Sequence, residues 1–212
     1  TGDEEGLAIN GTKKVVDYLK KKKEKIDFCL VGEPSNRKKI GQMMKIGRRG
    51  SLTTYVTLSG IQGHVAYPHE ACNPSTPIIK ILDKLKSWKL DSGTNNFQPS
   101  NLEITKVSTD SNADNVIPAT ASATFNIRFN NKHTYTTLKK RISSITEQIS
   151  KKYKCKAKIK YSETGTAFIT KPGKTVQMMS KVIKDITNQK PVLSTSGGTS
   201  DARFIKDIAP CV

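Results

Sequence analysis

The stretch that most restricts the fold is residues 119–129, where Ala119, Ala121, Ala123, Phe125, Ile127 and Phe129 alternate with Thr120, Ser122, Thr124, Asn126 and Arg128. A side-chain period of two belongs to a strand with one buried and one polar face, and no helix accommodates it. Such a strand needs neighbours and a covering layer, and the flanking sequence supplies both. After the basic turn Gly47-Arg48-Arg49-Gly50, Leu52, Thr54, Val56 and Leu58 alternate in a strand reaching Ser59. Leu102 and Ile104 alternate in another, and Ala157, Ile159 and Tyr161 alternate with Lys156, Lys158 and Lys160 in a fourth. Two helical stripes lie between them. Asn73-Pro74 caps one that carries Ile78, Ile79, Leu82, Leu85 and Trp88, a helix of about 16 residues. The other carries Leu138, Ile142, Ile145 and Ile149. The order over residues 51–161 is β-α-β-β-α-β, which predicts a ferredoxin-like α+β domain, an antiparallel sheet with two helices on one face.

The flanks read differently. Val15, Val16 and Leu19 are at helical spacing in residues 11–23, and Asp27-Phe28-Cys29-Leu30-Val31 follows as an apolar run ended by Gly32-Glu33-Pro34. A helix feeding a buried strand predicts an α/β layer with a parallel sheet. Beyond Pro172 the helical signal returns in Val176, Met179, Val182, Ile183 and Ile186, followed by Pro191-Val192-Leu193, a Gly197-Gly198 turn and a short helix before Ile208. The expected fold class is therefore an incomplete α/β domain (residues 1–50 and 164–212) interrupted by an inserted α+β domain (residues 51–163). The chain opens on Thr1 without an initiator Met and stops at Val212 after a strand-like stretch, so both ends are expected to be cut.

Composition excludes several classes. No run of about 18 consecutive apolar residues occurs, so no helical membrane span is expected, and we expect a soluble, cytoplasmic chain. Cys29, Cys72, Cys155 and Cys211 are far apart, with no C-x-x-C pair, and read as free thiols. With 36 Lys and Arg against 18 Asp and Glu, the net charge is +18. That raises the prospect of nucleic acid, but the lysines are spread over every element, as on a solvated surface. A basic β-α-β-β-α-β unit is also the outline of an RNA-recognition motif. Its base-stacking strand would need aromatics on the open face, whereas Phe125 and Phe129 share the apolar one. RNA binding and a dimerisation module without catalysis stand as alternatives to an enzyme.

Chemistry could reside in few places. Asp3, Glu4 and Glu5 precede a helix and Glu33 closes a strand. Such carboxylates serve as dipole partners, or as a metal ligand beside a base that deprotonates water. His64 and His69 lie in the loop Gly63-His64-Val65-Ala66-Tyr67-Pro68-His69, where a histidine can donate to a developing oxyanion or sit idle in solvent. His133 is read as a surface residue. Arg48, Arg49 and Arg128 can fork onto a carboxylate, although in so basic a chain solvation is the simpler reading. Ser196-Gly197-Gly198-Thr199-Ser200-Asp201 offers backbone N–H groups to an anion, or is a plain connecting turn.

Taken together, Thr1-Gly2-Asp3-Glu4-Glu5-Gly6, Val31-Gly32-Glu33-Pro34-Ser35, Gly47-Arg48-Arg49-Gly50-Ser51, the Gly63 to His69 loop, Asn115-Val116-Ile117-Pro118 and Ser196 to Asp201 resemble the dizinc aminoacylase and carboxypeptidase family. The His64 loop and the Ser196 stretch resemble its desuccinylase members. The resemblance implies a metal-dependent amide hydrolase with Glu4 as general base, Glu5 and Glu33 as carboxylate ligands of two divalent metals (zinc or cobalt), and Asp3 in support. It implies that His64 reaches the partner subunit's site and polarises the scissile carbonyl. Arg48, Asn115, Arg128, Gly198 and Thr199 would bind the carboxylates of a small dicarboxylate substrate. Residues 51–163 would form the dimerisation domain of a homodimer, with no nucleic acid and no membrane as partner. The family's His-x-Asp motif, bridging Asp and last His ligand have no counterpart in these 212 residues. A catalytic zinc takes three protein ligands and water, so this chain by itself is expected to bind no metal and to be inactive.

Overall fold

The computed structural model describes residues 9–36 and 38–212. Glu4, Glu5 and Asp3 therefore lie outside the described residues. The chain divides into two units, a mixed α/β arrangement in each.

The first unit contains the described residues up to Gly50 together with Gly93–Gln98 and Gly165–Val212. Its helix α1 (Thr12–Lys22) ends where Lys23 turns left-handed, at φ 55°, and Lys20, Lys21 and Lys22 in its last turn complement the helix dipole. Of the anticipated stripe Val16 is buried but Val15 is 52 % exposed. Strand β1 (Met43–Lys45) and β2 (Gly47–Arg48) follow. The apolar run at residues 27–31 is not an extended buried strand: Cys29 makes a single parallel bridge to Cys211 and Leu30 is exposed. Three backbone bonds hold that ladder, from Cys29 N to Pro210 O, Val31 N to Val212 O and Val212 N to Cys29 O.

The second unit is Ser51–Ser92 with Pro99–Thr164. Strand β3 (Gly50–Ser59) leads to the two-residue strand β4 (Gly63–His64), a 3-10 turn (Pro68–Glu70) and helix α2 (Ser75–Lys86). Asn73 Oδ1 accepts from Ser75 N at 2.9 Å, which sets the start of α2. That helix is 12 residues long, shorter than its apolar spacing suggests. It buries Ile78, Ile81, Leu82 and Leu85, whereas Ile79 points outward at 62 % exposure. Then come β5 (Asn101–Thr109), β6 (Val116–Ile117), β7 (Thr120–Phe129), α3 (Tyr135–Lys152) and β8 (Lys156–Gly165). The four long strands form one sheet in the order β5-β7-β3-β8. Leu52, Val56 and Leu58 from β3, Phe125, Ile127 and Phe129 from β7, and Leu138 and Ile142 from α3 share one core. Burying each such side chain is worth about 1.5–3 kcal/mol. A register shift between Ile104 and Lys106 interrupts β5 against β7, and Ile104 is left 37 % exposed rather than in the core. Thr134 and Thr137 close a reciprocal capping box on α3.

His133 is not a surface residue. Its Nε2 is 3.0 Å from Asp91 Oδ2, and the two side chains are only 14 % and 5 % exposed. The carboxylate draws the ring inward, and also accepts from Asn130 Nδ2 at 2.7 Å and Ser100 N at 3.3 Å.

The chain returns to the first unit through β9 (Phe168–Ile169), α4 (Lys174–Thr187), β10 (Val192–Ser194) and α5 (Ala202–Ile205). Strand β1 pairs in parallel with β10, and β2 pairs antiparallel with β9. On α4 Val176 is buried and Met179 and Ile183 pack beside it, but Val182 and Ile186 of the anticipated stripe are exposed.

Candidate active site

In the second unit, β4 pairs with β6 so that Gly63 is opposite Ile117 and His64 opposite Val116. Val65 N donates to the Asn115 carbonyl at 3.1 Å, so His64 and Asn115, chosen from sequence 51 residues apart, are brought together. The loop closes at its neck, where Ile61 and Cys72 exchange two backbone bonds of 2.9 Å. The Ala66 N–H donates to His64 Nδ1 at 3.1 Å. That occupies the Nδ1 lone pair, so the neutral ring carries its proton on Nε2 and offers an N–H donor outward. The His64 ring is exposed, with the Tyr67 ring centroid 5.9 Å away.

Arg128 sits on the face of β7 opposite the helices, among polar neighbours: Asn126 Nδ2 donates to Ser51 Oγ at 3.1 Å and Thr53 Oγ1 at 2.9 Å. Its own Nη1 is buried without a hydrogen-bond partner among the described residues. Phe125 and Phe129 lie in the core at 0 % and 1 % exposure, so β7 offers no aromatic platform to a base.

In the first unit a cleft is lined by Glu33, Lys45, Arg48, Ser200 and neighbouring apolar groups. Arg48 and Arg49 are each only 9 % exposed, against the solvated reading. The Arg48 guanidinium donates to the Ser196 carbonyl at 3.3 Å. Burial lowers its pKa, and the nearby Glu33 carboxylate partly offsets that; a guanidinium nonetheless stays charged. With the Gln98 amide oxygen turned toward it, both terminal nitrogens of Arg49 donate to that oxygen at 3.0 Å. Gly197 has φ +105°, and a Cβ there would stand 3.0 Å from Arg48 Nη1; the close approach needs glycine. Gly198 is open on the side where a Cβ would stand, with Thr199 half-buried beside it. Lys45, which the sequence reading missed, donates to Ser196 Oγ at 2.8 Å and Ser194 Oγ at 3.4 Å. The cleft thus gathers two cations and several hydroxyls beside the single carboxylate of Glu33, a net positive environment for a second carboxylate.

The described residues do not fit a dimetal centre. No group of three or more His, Cys, Asp or Glu among them could hold an ion. Of the anticipated ligands Glu33 alone is described, and the Arg48 guanidinium is a charged neighbour of it.

A family model described as the peptidase dimerisation domain matches residues 46–154. The chain is 65 % identical over 212 residues to a succinyl-diaminopimelate desuccinylase of Pelagibacter ubique, covering 100 % of this chain and 55 % of that protein. It is 48 % identical over 212 residues to the protein of that name from Parvibaculum lavamentivorans, covering 54 % of it. The chain therefore spans about half the length of the curated relatives it matches. Among solved structures, a Staphylococcus aureus tripeptidase aligns over 94 % of this chain and 51 % of its own at 17 % identity, with TM-score 0.77. The aminopeptidase PepT of Bacillus cereus aligns over 95 % of this chain and 52 % of its own at 17 % identity, with TM-score 0.72. At that identity the likeness concerns the fold alone.

Proposed function

The chain belongs to the peptidase dimerisation domain family, and from that premise we propose that it is part of a succinyl-diaminopimelate desuccinylase. This is a metal-dependent hydrolase that converts N-succinyl-L,L-diaminopimelate and water to succinate and L,L-diaminopimelate, in bacterial lysine and diaminopimelate biosynthesis. In this reading residues 1–50 and 164–212 are two parts of an α/β catalytic domain, and residues 51–163 are the inserted α+β lid through which two copies pair in the cytoplasm.

The observation that carries the reading is the hydrogen bond that His64 Nδ1 accepts from the Ala66 N–H. An amide carbonyl gains negative charge as water adds to it, and a pre-aimed donor stabilises that charge without reorganising. The Ala66 N–H on Nδ1 commits Nε2–H to that task. Arg48 is held by a backbone carbonyl, and Arg128 has a buried nitrogen without a hydrogen-bond partner among the described residues; each suits a forked contact to a carboxylate. Asn115, Gly198 and Thr199 add polar contacts. Glu4, outside the described residues, is assigned the proton of the attacking water. The family resemblance gives the complete protein two divalent metals, zinc or cobalt, with Glu5 and Glu33 among their ligands; the described residues do not furnish that centre.

The test is succinate release from N-succinyl-L,L-diaminopimelate by the complete protein that carries this chain. His64→Ala is expected to lower kcat by about 10²–10³, and Arg48→Ala to act mainly on KM. Absence of turnover on this substrate by the unmodified complete protein overturns the assignment.

A further inference from the structure

We propose that Cys72 and Cys155 form a redox pair that closes to a disulfide and so fastens the neck of the loop carrying His64. The two thiols are 83 residues apart in sequence, yet their Sγ atoms are 3.3 Å from each other. Neither is placed by chance. Cys72 closes the neck through its two backbone bonds to Ile61. The crossing is so tight that a Cβ on Gly60 would fall 1.9 Å from the Cys72 carbonyl oxygen. Cys155 is delivered from the other side by the turn that ends α3. Lys154 adopts a left-handed backbone, at φ 56°, and Cys155 N bonds back to Ser150 O at 3.0 Å. Both thiols then face the Tyr153 carbonyl, at 3.4 Å from Cys72 Sγ and 3.5 Å from Cys155 Sγ.

The environments divide the labour. Cys72 is half-buried and reachable, while Cys155 is 7 % exposed, and burial together with the Cys72 thiol pushes its pKa up to about 12. With a peroxide as oxidant, the Cys72 thiolate attacks one oxygen, the O–O bond breaks, hydroxide leaves and takes up a proton as water, and a sulfenic acid remains. The Cys155 sulfur then attacks the Cys72 sulfur. The S–S bond forms, the S–O bond breaks, and the Cys155 proton leaves with the hydroxyl as a second water. One peroxide accepts the two electrons. Cys29 and Cys211 are backbone partners in a parallel bridge, but the Cys211 thiol is 1 % exposed and directed at the Ala202 carbonyl, 3.8 Å away, so they serve as the internal control.

The 212-residue chain is reduced, freed of reductant and treated with one equivalent of hydrogen peroxide; remaining thiols are alkylated and the peptides mapped by mass spectrometry. The expected product is a Cys72–Cys155-linked peptide, with Cys29 and Cys211 still alkylated. Amide exchange at Ile61 and Cys72 is expected to slow by about tenfold on oxidation, because the cross-link restrains local opening of the neck. Cys155→Ser is expected to stop at a Cys72 sulfenic acid that dimedone traps. Where that variant does not fold, the order of events is read in the unmodified chain from the early appearance of the dimedone adduct on Cys72. A Cys29–Cys211 link forming first, over-oxidised Cys72 with Cys155 still alkylated, or unchanged exchange at the neck after full cross-linking would each overturn the proposal.

Discussion

Removing the Asp91 carboxylate should cost far more than removing its histidine partner, because Asp91 accepts from three donors and His133 is only one of them. Its side chain is 5 % exposed and receives Asn130 Nδ2 at 2.7 Å, His133 Nε2 at 3.0 Å and Ser100 N at 3.3 Å. In Asp91→Ala these donors lose their acceptor where water does not reach, since Asn130 is 0 % and Ser100 8 % exposed. A buried donor left unpaired costs about 1–3 kcal/mol, and this substitution orphans three at once. The expected loss is therefore about 3–5 kcal/mol, against about 1–2 kcal/mol for His133→Gln, which leaves two donors on the carboxylate. The assay is urea unfolding followed by the fluorescence of Trp88, the chain's single tryptophan, which packs against the core of the same unit. With a slope of about 2 kcal/mol per molar, the midpoint should fall by about 2 M for Asp91→Ala. Equal losses for the two variants, or a loss under about 1 kcal/mol for Asp91→Ala, would refute the cluster as a structural knot.

Cys155 holds its proton more tightly folded than unfolded, with a pKa of about 12 against an ordinary 9.0. Its contribution to stability is therefore fully present below about pH 9 and is lost as the pH rises through about 12; subtracting the pH profile of Cys155→Ala from that of the unmodified chain should isolate a decline confined to that window. The two edges of the four-stranded sheet differ: β8 presents Lys156, Lys158 and Lys160 to solvent, whereas β5 exposes Ile104 and Val107. Lysine-guarded edges resist pairing, so Val107→Lys is expected to shift a dimer to monomer in light scattering, and Ala157→Lys to leave it unchanged. Dialysed against zinc, the 212-residue chain is expected to retain less than one ion per chain by elemental analysis, because of the ligands that the family resemblance implies only Glu5 and Glu33 lie in its sequence and a catalytic zinc takes three protein ligands.

The legible parts of the fold were those in which period and burial coincide. Along β7 every second residue is buried without exception, and the sequence shows the same alternation. On helices the period marks the element but not which neighbour on the stripe is covered. Val15 beside Val16, and Ile79 beside Ile78, differ by one helical step of about 100°, and in each pair the first-named is exposed and the second buried. The candidate site was legible where its residues lie in one loop, as His64 does, and illegible where contact depends on distant chain. Lys45 meets Ser196 151 residues later. His133 is drawn in by an aspartate 42 residues earlier. Cys72 and Cys155, read as far apart, are neighbours only because a left-handed Lys154 turns the chain back.

The proposed anchoring and polarising groups are held with unequal firmness. Arg48 is buried, lies on a strand paired to β9 and is pinned by a carbonyl. His64 is exposed, and its position depends on a two-residue ladder with β6, the Val65 to Asn115 bond and the two bonds of the neck. Segments with few buried contacts open at the low end of the local stability range. The donor should therefore be the adjustable element and the carboxylate anchor the fixed one. A perturbation confined to the neck ought then to change how often His64 Nε2–H is aligned with the carbonyl while leaving carboxylate binding alone. In the complete protein, cross-linking Cys72 to Cys155 is expected to alter kcat with KM nearly constant. A change carried mainly by KM would mean that the neck controls access or binding instead of the polarising donor.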